Sequence, residues 1–259
     1  MTVEANSGQI EYWNSAAGEK WAVNQERLDR QLSLVADRLF ERSAIQPGER
    51  IIDIGCGTGA SALRAAQAVG PNGHVFGVDI SQPMLDLAKS RAGGMDNLRL
   101  EIADAQNHDF VPGARDLLQS RFGVMFFADP IAAFANLLTA LRPGGRLSFV
   151  CWAAMADNPW FMTPRNAAAY VTGILKSAGF GDVRVDTEAC DLIGGDSAAN
   201  TAAFAVNVGP AARILKLHSP SPETIAAITA DVEAEMVPYL RTEGVRVPAK
   251  LNFVSAERP

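Results

Sequence analysis

The stretch Arg50-Ile51-Ile52-Asp53-Ile54-Gly55-Cys56-Gly57-Thr58-Gly59-Ala60 decides the fold of this chain. Its first five residues form the short, mostly apolar run that is typical of a buried strand. Glycines then recur at every second position, where the backbone can turn tightly and come close to a bound molecule. Because a helical pattern follows at 60–69, the stretch predicts a strand, a glycine loop and a helix.

The same alternation continues on both sides of this stretch. Further strands are predicted at 74–78, 98–103, 117–120, 146–150, 183–186 and 251–256. Helices are predicted at 25–43, 81–91, 131–141, 167–178, 198–208 and 222–240. This order predicts an α/β protein with a Rossmann-like, doubly wound, mostly parallel seven-stranded sheet that has an antiparallel edge strand.

Three segments are expected. Residues 1–47 form a helical leader or lid, 48–152 form the Rossmann-like ligand-binding core, and 153–259 complete the sheet and add a helical cap. The chain has 23 Lys and Arg against 29 Asp and Glu, without a basic run, so nucleic acid is not an expected partner. Three scattered cysteines predict a reducing, cytoplasmic setting with neither disulfides nor a metal site. No apolar run is long enough to predict a membrane span.

The glycine loop alone allows two cofactors. Gly55, Gly57 and Ala60 also fit the dinucleotide pattern, with Asp79 at a distance suited to a ribose, which leaves an NAD(P)-dependent oxidoreductase as the alternative. A carboxylate at Asp53, however, would repel a pyrophosphate at the helix N-terminus and attract an ammonium group. S-adenosylmethionine carries an ammonium and a sulfonium and has no phosphates. Asp53 therefore favours S-adenosylmethionine, unless it is only a solvated acid at a strand end.

Two more acids end the next two predicted strands. Asp79 can accept hydrogen bonds from both ribose hydroxyls, or cap a helix, although Ser81 is better placed for a cap. Asp104 can accept a hydrogen bond from an adenine amino group. Because parallel strands present their carboxyl ends at one edge of the sheet, the three acids together predict a nucleoside-bearing cofactor.

These residues resemble the class I S-adenosylmethionine-dependent methyltransferases, and in particular the UbiE-like group related to ubiquinone and menaquinone C-methyltransferases. The resemblance is carried by the glycine loop, Gly77-Val78-Asp79-Ile80-Ser81, Ala103-Asp104-Ala105 and Leu141-Arg142-Pro143-Gly144-Gly145-Arg146-Leu147. It implies methyl transfer to a small acceptor that is aromatic, quinone-like or lipidic. It also implies that Asp53, Gly55, Cys56 and Gly57 face the methionine end, Asp79 the ribose, Ile80 and Met84 the adenine faces, and Asp104 and Ala105 the adenine edge.

The acceptor side is predicted around the end of the fourth strand. Arg121 is expected beside the cofactor, with Phe122, Met125, Trp152 and the leader residue Tyr12 lining the acceptor site. Trp21 is expected to cover the sulfonium by cation–π attraction. The alternatives are a buried connection with Arg121 tied to a helix end, and a hydrophobic anchor for the leader.

Methyl transfer depends mainly on proximity and orientation, and a base is needed only for a reluctant nucleophile. His108, just past Asp104, is the candidate general base. The segment from Asn158-Pro159-Trp160 through Pro164-Arg165-Asn166 is shorter than in similar enzymes, so part of the substrate wall is expected to be missing. A non-catalytic cofactor-binding module that acts through a partner is therefore another alternative. The sequence does not indicate whether the protein is a homodimer.

Overall fold

The computed structural model describes residues 6–153, 168–208 and 218–259, together with 211, 212 and 215. The shortened segment at 158–166 lies outside the described residues. The α-helices are α1 (Ser7–Trp13), α2 (Ala16–Val23), α3 (Gln25–Gln31), α4 (Ser33–Ser43), α5 (Ala60–Val69), α6 (Gln82–Ala92), α7 (Pro130–Ala140), α8 (Ala168–Ser177), α9 (Ala198–Ala205) and α10 (Pro222–Met236). The strands are β1 (Arg50–Ile54), β2 (His74–Asp79), β3 (Leu98–Ile102), β4 (Arg115–Arg121), β5 (Leu141–Trp152), β6 (Gly181–Ile193), β7 (Leu240–Arg241) and β8 (Gly244–Glu257).

The sheet has the order β3-β2-β1-β4-β5-β8-β6, and the two-residue strand β7 pairs with β8 as an eighth strand. The first five strands in this order pair in parallel. β8 runs antiparallel to both of its neighbours, β5 and β6. The predicted mostly parallel sheet with antiparallel pairing at one edge is therefore confirmed.

Apolar side chains cover both faces of the central strands. On one face, Ile51 of β1 and Leu117 of β4 pack against the alanine-rich side of α5. On the other face, Ile52 and Ile54 of β1 join a larger cluster with residues of α7 and α8. Because β1 is covered on both faces, its carboxyl end is held rigidly where the glycine loop begins.

Several regions differ from the sequence prediction. β5 has 12 residues, Leu141–Trp152, where the sequence predicts a strand at 146–150. The helix predicted at 222–240 ends at Met236, and Leu240–Arg241 form the unpredicted strand β7. The helix predicted at 25–43 is divided at Leu32, whose buried side chain packs on Val35 and Leu39 while its backbone leaves the helical region. β6 and β8 are also much longer than predicted, with 13 and 14 residues. The parts of β6 and β8 beyond the predicted strands pair with each other. Such cross-strand pairing gives only a weak apolar pattern in the sequence of each strand.

Within the described residues, no helix has both the length and the apolar character that crossing a membrane requires.

Candidate functional site

The predicted acidic residues meet at the carboxyl edge of the sheet. Asp53 and Asp79 lie at or near the ends of the neighbouring strands β1 and β2. Asp104 follows the end of β3, and Arg121 is the last residue of β4. This edge therefore presents three carboxylates and one guanidinium around the glycine loop.

Asp53 is fully buried beneath the loop. Its Oδ2 accepts a 2.6 Å hydrogen bond from the hydroxyl of Ser61 on α5. Among the described residues, its Oδ1 has no hydrogen-bond partner. Burial raises the pKa of Asp53 to about 7, although the Ser61 hydrogen bond and the positive charge of Arg121 both oppose the rise. An unpartnered buried carboxylate oxygen is costly, and such an atom is an acceptor that a bound cation can satisfy.

The loop glycines have the left-handed backbone for which glycine is suited, with φ of 65° at Gly55, 54° at Gly57 and 90° at Gly59. A side chain at Gly55 would collide with the backbone of Gly123, at 2.6 Å from its Cα. At Gly57 the nearest atom of the described residues to an added Cβ is the sulfur of Met84, at 3.9 Å. Gly55 is thus a packing glycine, whereas Gly57 leaves room above the loop for a ligand.

Asp79 connects the loop to the following turn. Its Oδ2 accepts a 2.7 Å hydrogen bond from the amide of Gly57, and its Oδ1 accepts one of 2.8 Å from the amide of Ser81. Burial raises the pKa of Asp79, and these backbone amides oppose the rise. The amide of Ile80 acts on the carboxylate in the same way. A carboxylate has about four acceptor positions, so at least one is left for a ligand hydroxyl.

Cys56, Ile80 and Met84 surround this corner in different ways. The side chain of Cys56 lies in the core beside β1 and α5, so a cofactor could contact only its backbone. Ile80 is half-buried, and its carbonyl accepts a 2.8 Å hydrogen bond from Asn14. Met84 is buried on α6 and flanks Gly57. Ile80 and Met84 are therefore close enough to the loop for the predicted contacts with a base.

Asp104 is held by a residue that the sequence did not indicate. The side-chain amide of Asn6 lies 2.9 Å from both carboxylate oxygens of Asp104. The amide of Gln106 donates to Oδ1 at 3.0 Å. Ala105, the next residue, is buried in the main core cluster. The adenine edge predicted at Asp104 thus has the start of the leader as one of its walls.

The leader also contacts the turn after β2. The side chain of Asn14 donates to the Ile80 carbonyl and accepts from the amide of Gln82 at 2.9 Å. The hydroxyl of Ser81 donates to the carbonyl of Trp13 at 2.7 Å, although Ser81 was predicted to cap α6 with its side chain. The leader therefore spans from the end of β3 to the end of β2, across the place predicted for the nucleoside.

Arg121 belongs to a charged cluster beside Asp53. It lies 3.5 Å from Asp29 of α3, which forms a 2.9 Å ion pair with Arg91. Arg91 also donates to the carbonyl of Thr58 in the glycine loop at 2.6 Å. α3 is in this way tied to the loop, and Arg121 places a positive charge close to Asp53.

Aromatic side chains flank the end of β4. Phe122 has a left-handed backbone with φ of 66°, which is uncommon for a bulky residue, and its ring stacks on Trp152 at 4.7 Å. Met125 packs beside both rings. In the leader, Tyr12 and Trp21 each contact Trp13, with ring centres 5.1 and 5.9 Å apart. Trp13 in turn lies 5.4 Å from Phe126. The two predicted aromatic groups therefore both line this edge of the sheet.

His108 lies in an aromatic environment. Its ring is 4.6 Å from that of Phe110 and 5.7 Å from that of Phe76, which belong to the core. The contact between His108 and Asp104 is a hydrogen bond from the backbone amide to the backbone carbonyl. This placement favours a packing role for His108 over the general-base role predicted from sequence.

Several residues of the site escaped the sequence analysis. They are Asn6, Asp29 and Ser61. Ser120 and Gly123 lie in the run after the fourth predicted strand that the resemblance places beside the methyl group, but their contacts could not be predicted. Ser120 donates to the carbonyl of Ile54 at 2.7 Å and accepts from the amide of Gly123 at 3.0 Å, which closes β4 onto the glycine loop. The local signal for Gly123 is a glycine two residues beyond the end of β4. The contacts of Asn6 and Asp29 span 98 and 92 residues and have no local signature.

Comparison with known proteins gives matches over this core. Residues 51–145 match the family described as a methyltransferase domain. Aklanonic acid methyltransferase DauC of Streptomyces sp. (strain C5) is 36% identical over 129 residues, or 49% of this chain and 59% of that protein. Nocamycin O-methyltransferase of Saccharothrix syringae is 31% identical over 56% of this chain and 52% of that protein. A demethylmenaquinone methyltransferase of Staphylococcus aureus is 32% identical over 42% of this chain and 45% of that protein. The chain spans about half the length of these curated relatives.

Solved structures share the fold over a larger part of the chain. A phosphoethanolamine N-methyltransferase of Haemonchus contortus, in complex with S-adenosylhomocysteine, superimposes with a TM-score of 0.58 at 19% identity, covering 87% of this chain and 52% of that one. The [4+2]-cyclase SpnF superimposes with a TM-score of 0.56 at 21% identity, covering 87% of this chain and 80% of that one. The resemblance to methyltransferases is therefore confirmed, while the fold by itself also carries a protein named as a cyclase.

Proposed function

Because residues 51–145 carry a methyltransferase domain, we propose that the protein binds S-adenosylmethionine at the glycine loop and transfers its methyl group to a small-molecule acceptor. One observation supports this proposal above the others. The buried Oδ1 of Asp53 has no partner among the described residues and lies where a ligand ammonium group would satisfy it. A pyrophosphate at the same loop would instead meet this carboxylate and be repelled.

The charges of the site fit an amino acid zwitterion joined to a nucleoside. Asp53 would accept a hydrogen bond from the ligand's ammonium group. Arg121, whose positive charge lies near Asp53, would pair with the ligand's carboxylate. Asp79 has acceptor capacity left for the ribose hydroxyls, and Asp104 has it for the adenine amino group. Ile80 and Met84 would provide the apolar contacts with the base.

When bound, S-adenosylmethionine would supply a methyl group on a sulfonium that is already a good leaving group. The chain's own residues would then contribute orientation and exclusion of water. Asn14, Ser81 and Gln82 hold the leader against the turn after β2. The packed rings of Trp13, Trp21 and Phe126 form an apolar wall on the same side.

The proposed acceptor is a small molecule with an apolar or aromatic body. The matched relatives are named for aklanonic acid, nocamycin and demethylmenaquinone. The stacked Phe122 and Trp152, with Met125 beside them, offer a flat apolar surface near the end of β4.

The free thiols of all three cysteines suit the cytoplasmic setting expected from the sequence.

Calorimetric titration of the purified protein with S-adenosylmethionine, S-adenosylhomocysteine and NADH tests the cofactor. We expect the first two to bind and NADH not to bind. Asp53→Asn and Asp79→Asn should each weaken S-adenosylhomocysteine at least about tenfold, because each removes a charged hydrogen-bond acceptor. The exposed Asp109, five residues beyond Asp104, provides the matched control Asp109→Asn, which should bind like the wild type.

Binding of NADH in place of the two adenosyl compounds would overturn the proposal. If the adenosyl compounds bind, incubation with labelled S-adenosylmethionine and a panel of phenols, hydroxyquinones and aromatic carboxylic acids then tests transfer. Labelled product should form with at least one acceptor. Tight binding without transfer to any acceptor would instead favour a cofactor-binding module that acts through a partner. Light scattering on the same sample measures whether the protein is a homodimer.

A further inference from the structure

Asn6, at the start of the leader, makes more contacts with the adenine end of the site than its position in the sequence suggests. Its side chain is buried, although the helix it precedes, α1, contains no buried residue. The side-chain nitrogen lies 2.9 Å from both oxygens of Asp104, and the side-chain oxygen accepts a 2.6 Å hydrogen bond from the amide of Ala128. Asn6 therefore joins the loop after β3 to the segment after β4.

Counting the acceptor positions on Asp104 shows what remains for a ligand. Oδ1 accepts from the Asn6 side chain and from the amide of Gln106, which uses both of its lone pairs. Oδ2 accepts from Asn6 at 2.9 Å, and its one other contact among the described residues is a long one of 3.4 Å with Asn107. Oδ2 is thus the oxygen with capacity left, and Asn6 fixes the direction in which that capacity points.

We infer that Asn6 is a positioning residue for recognition of the adenine amino group, acting through Asp104. This inference rests on the proposed function, because it needs an adenosyl cofactor in the site. A carboxylate that turns freely would offer adenine either oxygen in many directions, and ordering it would cost affinity. Asn6 orders it beforehand, so docking of the leader and selection of adenine become linked through one side chain.

The backbone of Asn6 guides the choice of variant. Its φ of 66° is in the left-handed region, which asparagine, aspartate and glycine tolerate better than alanine. Asn6→Gly therefore removes the side chain without adding backbone strain. Asn6→Asp keeps the size but replaces the donor with a second carboxylate facing Asp104, so it should repel where asparagine attracts.

The test compares two ligands that differ at the group in question. S-inosylhomocysteine carries an oxygen where S-adenosylhomocysteine carries the adenine amino group. We expect the wild type to prefer the adenosyl compound at least about tenfold, as for a hydrogen bond to a charged acceptor. In Asn6→Gly this preference should fall to about threefold or less, because adenosyl affinity drops while inosyl affinity changes little. In Asn6→Asp the adenosyl compound should bind at least as weakly as in Asn6→Gly.

Asn14→Ala is the matched control. It releases the leader from Ile80 and Gln82 without touching Asp104, so it should weaken both ligands by the same factor and keep the preference. If Asn6→Gly also weakened both ligands equally, Asn6 would be only a leader anchor and the inference would be wrong. If the wild type bound neither ligand, the proposed function itself would fail, and the two failures are thereby distinguished.

Discussion

The core at 48–152 and the described part of the chain beyond 168 are built to different tolerances. In the core, four of the five residues of β1 are buried, and α5 buries five residues against the sheet. Beyond 168, β6 has one fully buried residue in thirteen, and α10, which is described throughout, has none. The core therefore holds its loops through close packing on all sides. Beyond 168, β8 is buried between β5 and β6, whereas β6 and α10 leave nearly all of their residues at least partly exposed and tolerate change.

The sharpest contrast should come from the same substitution made in the two regions. In the core, a Cβ at Gly123 would lie 2.4 Å from the carbonyl oxygen of Ile54 and 2.7 Å from Gly55 Cα. Both atoms are backbone and cannot move aside. Gly123→Ala should lower the free energy of unfolding by about 3 kcal/mol or more, measured by urea denaturation.

Gly173 in α8 provides the opposite case. No atom of the described residues lies within 4 Å of an added Cβ there, and the position is inside a helix. Gly173→Ala should raise the free energy of unfolding by about 0.5–1 kcal/mol, since alanine loses less backbone entropy than glycine. The comparison would fail if the two substitutions destabilised the protein by similar amounts.

Truncating an apolar side chain should also lower the stability more in the core than beyond 168, but the difference should be smaller than for the two glycines. Leu137 of α7 is fully buried between the sheet and α8, whereas Ile225 of α10 is 37% exposed. Leu137→Ala should cost about 3 kcal/mol of stability through a cavity. Ile225→Ala should change stability by no more than about 0.5 kcal/mol. Urea midpoints measured side by side decide the point, and an equal loss in both variants would show that α10 is held as firmly as the core.

The same division governs what could be predicted from the sequence. The strand and helix order of the core, and the acids Asp53, Asp79 and Asp104, follow from local patterns: an apolar run, glycines at fixed spacing and an acid at a strand end. These patterns work because a strand buried on both faces must be apolar throughout. The lengths of β6 and β8 could not be predicted, because each is stabilised mainly by the other strand.

Within the site, the missed residues act through contacts that no local sequence pattern marks. Ser61 looks like any small polar residue in a helix, yet its hydroxyl is the partner of Asp53. Asn6 and Asp104 are 98 residues apart, so no spacing rule connects them. Its position just past Asp104 suggests His108 as a base, but position along the chain gives no information on its aromatic surroundings. Local chemistry thus predicts which groups a site contains, whereas packing decides how each is held.

The pH dependence of cofactor binding tests whether burial of Asp53 has a functional cost. Its pKa is raised to about 7 in the protein without ligand. A ligand ammonium group would favour the charged carboxylate and lower this pKa, so the bound state would hold fewer protons. Affinity for S-adenosylhomocysteine should therefore rise about tenfold from roughly pH 5.5 to 7.5 and then level off, as measured by calorimetry.

Asp53→Asn should show weak binding with little dependence on pH over this range. The stability of the ligand-free protein should move in the opposite direction. Because the folded pKa lies above the unfolded value near 4, the stability gained from neutral Asp53 is complete at low pH and is lost as pH rises through about 7. A flat affinity profile for the wild type would mean that Asp53 is already ionised without ligand.

A further prediction concerns a buried amide inside the core. Gln119 of β4 is fully buried beside Asp53, and among the described residues neither its Nε2 nor its Oε1 has a partner. An unsatisfied buried amide is destabilising, so Gln119→Met, which keeps the volume, should raise the free energy of unfolding of the ligand-free protein by about 1 kcal/mol. A loss of stability would instead show that the amide is satisfied, for example by a buried water molecule.

The same substitution should weaken the cofactor even as it stabilises the fold. An apolar neighbour in place of the amide would raise the pKa of Asp53 further, so less of the carboxylate would be charged near pH 7. Affinity for S-adenosylhomocysteine should then fall about threefold at pH 7 and recover at higher pH, where Asp53 ionises. Stability gained together with a pH-dependent loss of affinity would show that Gln119 is kept for the site, at the expense of the most closely packed part of the molecule.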